Sequence, residues 1–306
     1  MDSAVFDTQL NGADPVGLLL AAPRCGASGN RSATRQEPPD SQLPNPARLG
    51  RRMAALYATW QHGRLPDMEG LAKALLHRNG VPSDDPLART CCAAARSVEA
   101  WGGLAYHSAT HHAEVATNAM ILVALADRLG QPLGWRAAAI LLAAGLAHDL
   151  HYRPGVTAER FAAEAASADA LDTIAAAQGC SDADRRAMRA LIIATEPGLR
   201  LRPGGPLGAP LEATAARLIG QDSVDPALAR LAAMLSDADL LSSVGLTAAW
   251  YHVQLARLET EAGKPHDPAD SARFFTAIVG PDFVSLPGRM FSPNLSAIRR
   301  AVNRTA

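Results

Sequence analysis

Five of the nine histidines lie between residues 107 and 151, and three of these fall in one short segment. His107 and His111 are four residues apart, a spacing that places them on the same side of a helix. Steps of three and four from His111 follow an apolar stripe, whereas His112 is rotated away from it by about 100°. The stripe comprises Val115, Ala119, Leu122, Ala126 and Leu129. His111 is therefore predicted to point into the protein.

A second group follows the apolar segment from Trp135 to Ala147, which is predicted to be a buried central helix. The helix is followed by His148, Asp149, Leu150 and His151. A carboxylate at the end of a buried helix is costly unless a positive group meets it. Either a divalent cation or a buried arginine would meet that need at Asp149.

Two further carboxylates, Asp237 and Asp239, lie in an apolar segment near residue 240. On helical spacing, Asp239 lies closer than Asp237 to the apolar side of this segment. That side is formed by Leu228, Leu231, Leu235 and Ala238. Asp239 is therefore the better candidate for a role inside the protein.

Together these residues form a candidate metal site made of His111, His148, Asp149 and Asp239. Two imidazoles and two carboxylates suit Zn, Mn, Fe or Mg, with coordination positions left for water. A cation held in this way would activate the water as a Lewis acid. Taken one at a time, each histidine is equally well explained as a hydrogen-bonded core residue.

The elements that must position these residues are predicted to be helices. Ala and Leu dominate from Arg48 onward, and alternating β-branched runs are scarce. Helix-start signals recur at residues 82–86, 181–184, 223–226 and 267–270. We expect an all-α fold, with a single compact multi-helix domain over residues 49–306. Residues 1–48, rich in Gly, Ser, Asn, Gln and Pro near their middle, are predicted to be a flexible or loosely packed N-terminal extension.

Composition and charge exclude several other classes of protein. The 306 residues are 48% hydrophobic and 19% charged, which is enough to build a core. A net charge of -1 gives no reason to expect nucleic acid or a membrane as partner. No apolar run reaches the ~20 residues of a membrane-spanning helix, and no basic residue precedes Arg24 as in a secretory signal. The motifs GxGxxG, GxxxxGK[ST] and GxSxG are absent. We expect a soluble cytoplasmic protein.

Four short motifs resemble those of the HD-domain metal-dependent phosphohydrolases, most closely the catalytic domain of class I cyclic-nucleotide phosphodiesterases. That family carries Y-H-N-x-x-H-A-x-D-V, then H-D-x-x-H-x-G-x-x-N, T-D-M and A-D-L-S. This chain has Y-H-S-A-T-H-H-A-E-V from Tyr106, A-H-D-L-H-Y-R-P-G from Ala147, I-I-A-T-E-P from Ile192 and A-D-L-L-S from Ala238. Each motif alone is weak, but their order and separations agree over roughly residues 100 to 262.

The resemblance implies an all-α fold of that family and two divalent metal ions. It implies that His111, His148, Asp149 and Asp239 hold the tighter metal, that Asp149 bridges to the second, and that His107 is the general acid. It implies that His151, as a second catalytic residue, hydrogen-bonds to the waters at the metals.

The chain also departs from the family pattern. Ser108, His112 and Glu114 replace Asn, Ala and Asp, and Glu196 replaces the Asp of the third motif. His151 lies two residues after Asp149, where the family has a histidine three residues after. No counterpart is evident for the glutamine that binds the purine.

We therefore expect an intracellular phosphohydrolase that uses metal-activated water to attack phosphorus, most plausibly in a cyclic nucleotide. The partner would be a small phosphoester or nucleotide, and the oligomeric state, a homodimer included, is left open. One alternative is an HD-type nucleotidase or phosphomonoesterase. Another is a mixed-valence di-iron oxygenase, for which His112 and His151 could supply extra imidazoles. A third is a binding module with a vestigial site.

Overall fold

A computed structural model describes residues 14–21, 43–101, 103–153, 161–196, 226–265, 267 and 274–304. Within these ranges the regular structure is entirely helical, as predicted from the sequence. The eleven α-helices of these ranges, numbered in chain order, are α1 Pro15–Leu20, α2 Pro46–Thr59, α3 Met68–Arg78, α4 Pro86–Trp101, α5 Ala109–Arg128, α6 Trp135–Ala147, α7 Ala162–Ala177, α8 Asp182–Ile193, α9 Pro226–Val244, α10 Ala248–Ala262 and α11 Ser292–Val302. Short π-helical turns cover Trp60–Arg64 and Phe274–Val279, and a 3-10 turn covers Gly288–Phe291.

Side-chain caps explain where several helices begin. The side chains of Asn45, Asp67, Ser181 and Thr247 accept hydrogen bonds from backbone N–H groups that the first turn leaves without helical partners. The start signals at residues 82–86 and 181–184 are confirmed, because helices begin at Pro86 and Asp182. Of the signal at residues 223–226, only Pro226, the first residue of α9, lies in the described ranges. The fourth signal, at residues 267–270, lies largely outside the described residues.

Helices α5, α6 and α9 form the centre of the molecule and pack against one another. The prediction of a buried central helix is confirmed in α6, which is buried continuously from Ala138 to Ala147. Helix α5 is buried on nearly all sides between His111 and Val123. For that reason His112 is fully buried, although it lies off the stripe that begins at His111.

The segment predicted to be a loose extension contains one short packed helix, α1. Its start has a recognisable signal, since the Asp14 side chain accepts from the N–H of Val16 at 3.0 Å and Pro15 follows it. Val16, Leu19 and Leu20 are buried in the core. Residues 1–13 and 22–42 of the predicted extension lie outside the described residues.

No single helix in the described ranges is long and apolar enough to cross a membrane. Helices α9 and α10 meet that criterion only as a pair, and they are bent by 94° relative to each other.

Candidate metal centre and cavity

The four predicted ligands come together at the point where α5, α6 and α9 meet. His111 lies in the first turn of α5, and His148 and Asp149 directly follow α6. Asp239 projects from the middle of α9. The packing of these three buried helices thus joins residues that are up to 128 positions apart in the chain.

The ligand atoms face one another at short distances. His148 Nε2 lies 3.2 Å from His111 Nε2 and 3.0 Å from Asp149 Oδ2. Asp239 Oδ1 lies 3.4 Å from His111 Nε2 and 3.7 Å from His148 Nε2. Asp149 Oδ2 lies 3.6 Å from His111 Nε2. With metal–ligand bonds of about 2.1 Å, neighbouring ligand atoms in a tetrahedral or octahedral site lie roughly 3.0–3.4 Å apart. His111, His148 and Asp149, whose ligand atoms all lie within 4.8 Å of one another, form a group that could hold a cation, and Asp239 lies beside it.

The hydrogen bonds of the two imidazoles agree with that fit. His148 Nδ1 lies 3.0 Å from the carbonyl of Gly145, which can only accept, so Nδ1 carries the proton and Nε2 of a neutral ring has a free lone pair. His111 is fully buried, and its Nδ1 has no hydrogen-bond partner within the described residues. Two imidazole nitrogens therefore face carboxylate oxygens, and this negatively charged set would be stabilised by protons on the imidazoles or by a dication in their place.

The electrostatics of the cluster follow from the same contacts. Burial lowers the pKa of His148, but the charges of Asp149 and Asp239 outweigh it and hold the pKa well above its ordinary value. Burial raises the pKa of Asp149, yet His148 and His111 outweigh it and hold the pKa well below the usual range. The pKa of Asp239 is lowered by the same two imidazoles. Positive charge is thus strongly favoured at this point.

His107, the predicted general acid, lies at the edge of the cluster. Its Nε2 is 3.7 Å from Asp149 Oδ2, and its Nδ1 is 2.5 Å from Glu261 Oε1. The ring also stacks on Tyr152, with centroids 3.9 Å apart. Glu261 was not among the site residues predicted from the sequence. Glu259 lies at the same end of α10, and no motif or spacing distinguishes the two glutamates.

The structure does not bring His151 to the cluster. Its backbone has a φ of 69°, its side chain is exposed, and its ring lies 6.3 Å from that of Trp101. Tyr152, the next residue, instead faces His107 and lines the adjacent cavity. Tyr152 is three residues after Asp149, the position at which the resembling family has its histidine.

His112 is packed away from the cavity. Its Nδ1 lies 2.8 Å from the carbonyl of Leu146, and its ring meets Trp101 edge-on at 5.9 Å. Its Nε2 is buried without a hydrogen-bond partner among the described residues. The positions of His112 and His151 therefore give no support to the oxygenase alternative.

Asp237, the neighbouring carboxylate on α9, turns to another part of the protein. It accepts hydrogen bonds from the N–H groups of Val284 and Ser285 at 3.0 and 2.7 Å and from the Ser285 hydroxyl at 2.6 Å. Asp237 thus anchors the loop that precedes the Gly288–Phe291 turn, while Asp239 lines the cavity.

A cavity of about 500 Å³ opens beside the cluster. Its lining includes His107 and four carboxylates, those of Asp149, Asp239, Glu164 and Glu196. No Lys or Arg is among the described residues that line it. Burial, together with the charges of Asp149, Glu196 and Asp239, raises the pKa of Glu164 to about 7.

Apolar residues also line the cavity. They are Phe161, Leu240, Leu258, Phe274 and Ile278. The lining therefore combines carboxylates suited to cations with apolar side chains suited to a ring or a hydrocarbon body.

Comparison with known proteins finds a similarity in structure and none in sequence. No family model matches the sequence, and no curated protein matches it. Among solved structures, that of LmjPDEB1, a class I phosphodiesterase of Leishmania, in complex with IBMX is similar, with a TM-score of 0.47 and 14% sequence identity. The match covers 95% of this chain and 97% of that chain. At this identity and score the likeness does not extend to the activity.

Proposed function

We propose that the protein is a metal-dependent phosphoester hydrolase whose centre is held by His111, His148, Asp149 and Asp239. The observation that supports this most directly is the cluster of His111, His148 and Asp149, whose ligand atoms all lie within 4.8 Å of one another, with Asp239 Oδ1 3.4 Å from His111 Nε2 and 3.7 Å from His148 Nε2. Asp149 and Asp239 also line the cavity. A divalent cation bound there would polarise the phosphoryl oxygens and lower the pKa of a water molecule for attack at phosphorus.

His107 is the residue in position to protonate the departing oxygen. Its Nε2 faces the cluster, while Glu261 accepts a hydrogen bond at Nδ1. The attacking water would lose a proton to solvent as its oxygen bonds to phosphorus and the ester P–O bond breaks. The leaving oxygen would take a proton from His107 Nε2, which a proton from solvent would then replace. The Glu261 carboxylate, 2.5 Å from Nδ1, keeps the ring in a single orientation.

The cavity supports a phosphodiester as the substrate class, with a 3′,5′-cyclic nucleotide as the leading candidate. A diester carries one negative charge and a monoester up to two, so a diester is repelled less by a lining that has four carboxylates and, among described residues, no Lys or Arg. A base could lie against the apolar side chains of Phe161, Leu258 and Phe274.

The test is an assay of the full chain on cyclic mononucleotides, cyclic dinucleotides, nucleotides and phosphomonoesters with Mn, Mg, Zn or Fe. We expect a diester to be hydrolysed, and chelation to abolish turnover that added metal restores. Asp149→Ala should lose both the metal and the activity, whereas Asp169→Asn, at an exposed carboxylate of α7, should keep both. Wild-type protein that binds none of these metals would contradict the proposal, and oxygen uptake by Fe-loaded protein would favour an oxygenase.

A further inference from the structure

Arg257 on α10 binds the loop that carries His107. Its Nε donates to the carbonyl of Ala105 at 2.9 Å, and its Nη2 donates to the carbonyl of Tyr106 at 3.2 Å and to the hydroxyl of Ser108 at 2.8 Å. The guanidinium also lies 5.6 Å from the centre of the Tyr106 ring. One side chain thus holds residues on both sides of His107.

Glu261, one turn further along α10, holds the same loop by its N–H groups. Its Oε2 accepts from the N–H of Tyr106 at 2.8 Å and from the N–H of His107 at 3.0 Å. Arg257 therefore donates to the carbonyls of the loop, and Glu261 accepts from its N–H groups. Side chains of α10 thus bind both the acceptors and the donors of the loop backbone.

The hydroxyl of Ser108 takes part in anchoring the loop and does not cap α5. Ser108 is the N-cap residue of α5, yet its side chain makes no capping hydrogen bond. Its hydroxyl accepts from Arg257 instead. A serine cap stabilises a helix by about 1 kcal/mol, and α5 lacks this stabilisation at its first residue.

The inner side of Arg257 faces the helix that carries His111. Nη1 donates to Gln254 Oε1 at 2.7 Å and lies 3.6 Å from Glu114 Oε1. Gln254 Nε2 in turn donates to Glu114 Oε2 at 2.7 Å. Glu114 is fully buried and lies one turn after His111 on α5. The polar contacts of Arg257 thereby connect the loop to Glu114, on the helix that carries His111.

We propose that Arg257 is a positioning residue for the general acid, holding the loop of residues 105–108 so that His107 keeps a set place relative to His111. Arg257 is not among the residues that line the cavity, so it acts through His107 and does not touch the substrate. The inference rests on the proposed function for its catalytic meaning, while the anchoring of the loop can be tested without turnover.

The kinetic test varies the leaving group. Arg257→Gln is combined with Glu114→Gln, so that no unpaired carboxylate is left buried and the fold is retained. With p-nitrophenyl diesters, whose leaving group needs little protonation, the double variant should keep its kcat. With the matching phenyl diesters and cyclic AMP, kcat should fall by ~100-fold while KM changes little. Arg257→Lys should lose less, and added guanidinium should restore part of the rate in Arg257→Ala.

The control is Arg185→Gln, which removes an ion pair with Asp172 between α7 and α8, outside the cavity. It should leave both classes of substrate unaffected. An equal loss of kcat on good and poor leaving groups in the Arg257 variants would overturn the positioning role.

Hydrogen exchange gives a readout that is independent of activity. The amides of Tyr106 and His107 should exchange ~10-fold faster or more in the Arg257→Gln/Glu114→Gln protein, with no change in Arg185→Gln. Unchanged exchange at these two amides would overturn the proposal. If wild-type protein hydrolyses no ester but the exchange result holds, the proposed function fails and the anchoring of the loop stands.

Discussion

The Nδ1 atom of His107 meets Glu261 Oε1 at 2.5 Å, although the two residues are 154 positions apart in the chain. The Glu261 side chain is only 6% exposed, and the bond leaves the other ring nitrogen facing Asp149. Burial raises the pKa of Glu261, but hydrogen bonding to His107 outweighs it and lowers the pKa. The carboxylate is therefore ionised next to the ring, accepts the hydrogen bond from Nδ1 and holds the ring in one orientation.

Glu261→Gln is expected to lower kcat on poor leaving groups by ~10-fold, and His107→Ala by ~100-fold or more, because proton donation at the leaving oxygen is impaired. Both variants should still bind metal, as measured by metal analysis of the purified protein. Glu99→Gln, an exposed carboxylate at the end of α4, is the control. Unchanged turnover in His107→Ala would remove this residue as the acid.

Asp239→Asn is expected to weaken Mn²⁺ binding by ~100-fold or more, since it removes one anionic ligand. Isothermal titration calorimetry on chelator-treated protein measures this directly. Asp237→Asn lies two residues away on the same helix and should leave the affinity unchanged. Equal affinities in the two variants would mean that Asp239 is no ligand.

Asp237→Ala is expected to destabilise the fold by about 3 kcal/mol, because two buried N–H groups and a hydroxyl lose their acceptor. The contacts at risk are those with Val284 and Ser285. Urea denaturation measures the free energy of unfolding, and Asp169→Asn serves as an exposed control. A change of a few tenths of a kcal/mol would show that the loop does not depend on this anchor.

His151→Gly is expected to leave turnover unchanged and to raise stability by about 1 kcal/mol, because glycine adopts the positive φ of 69° without steric cost. Thermal unfolding and steady-state kinetics measure the two effects. Tyr152→Ala is the matched comparison, and it should lower kcat because its ring supports His107. A large loss of kcat in His151→Gly would assign the imidazole to the reaction after all.

The raised pKa of Glu164 predicts that the free energy of unfolding of metal-free protein depends on pH. Its pKa rises from an ordinary 4.5 to about 7 in the fold, so the folded state binds more protons between these values. The stability that this proton uptake contributes is complete below pH 4.5 and is lost as the pH rises through 7. Because the side chain is partly exposed, the loss is about 2 kcal/mol, less than the full shift implies.

Glu164→Gln should remove that dependence, so that its stability advantage over wild type grows between pH 4.5 and 7.5. Chemical denaturation at several pH values, with a chelator present, is the measurement. Added Mn²⁺ should shrink the dependence, since a nearby dication favours the ionised carboxyl. Parallel curves for wild type and variant would contradict the assignment.

The sequence by itself determined the all-α architecture and the starts of several helices, because periodicity and capping act between residues a few positions apart. It also singled out His111, His148, Asp149 and Asp239 as candidates, since each carries a charge or imidazole at a position predicted to be buried. Residues 1–48 were predicted as a flexible or loosely packed extension, and within them Pro15–Leu20 forms a helix whose start follows the aspartate-before-proline signal at Asp14.

Only the tertiary structure decided which residues surround His107. Glu261 and Arg257 reach its loop because α10 packs beside the start of α5, and nothing local distinguishes Glu261 from Glu259. His151 has a φ of 69° and an exposed side chain, while Tyr152, the next residue, lines the cavity. These contacts depend on long-range packing and on the left-handed backbone conformation of one residue. Neither can be inferred from the spacing of residues along the chain.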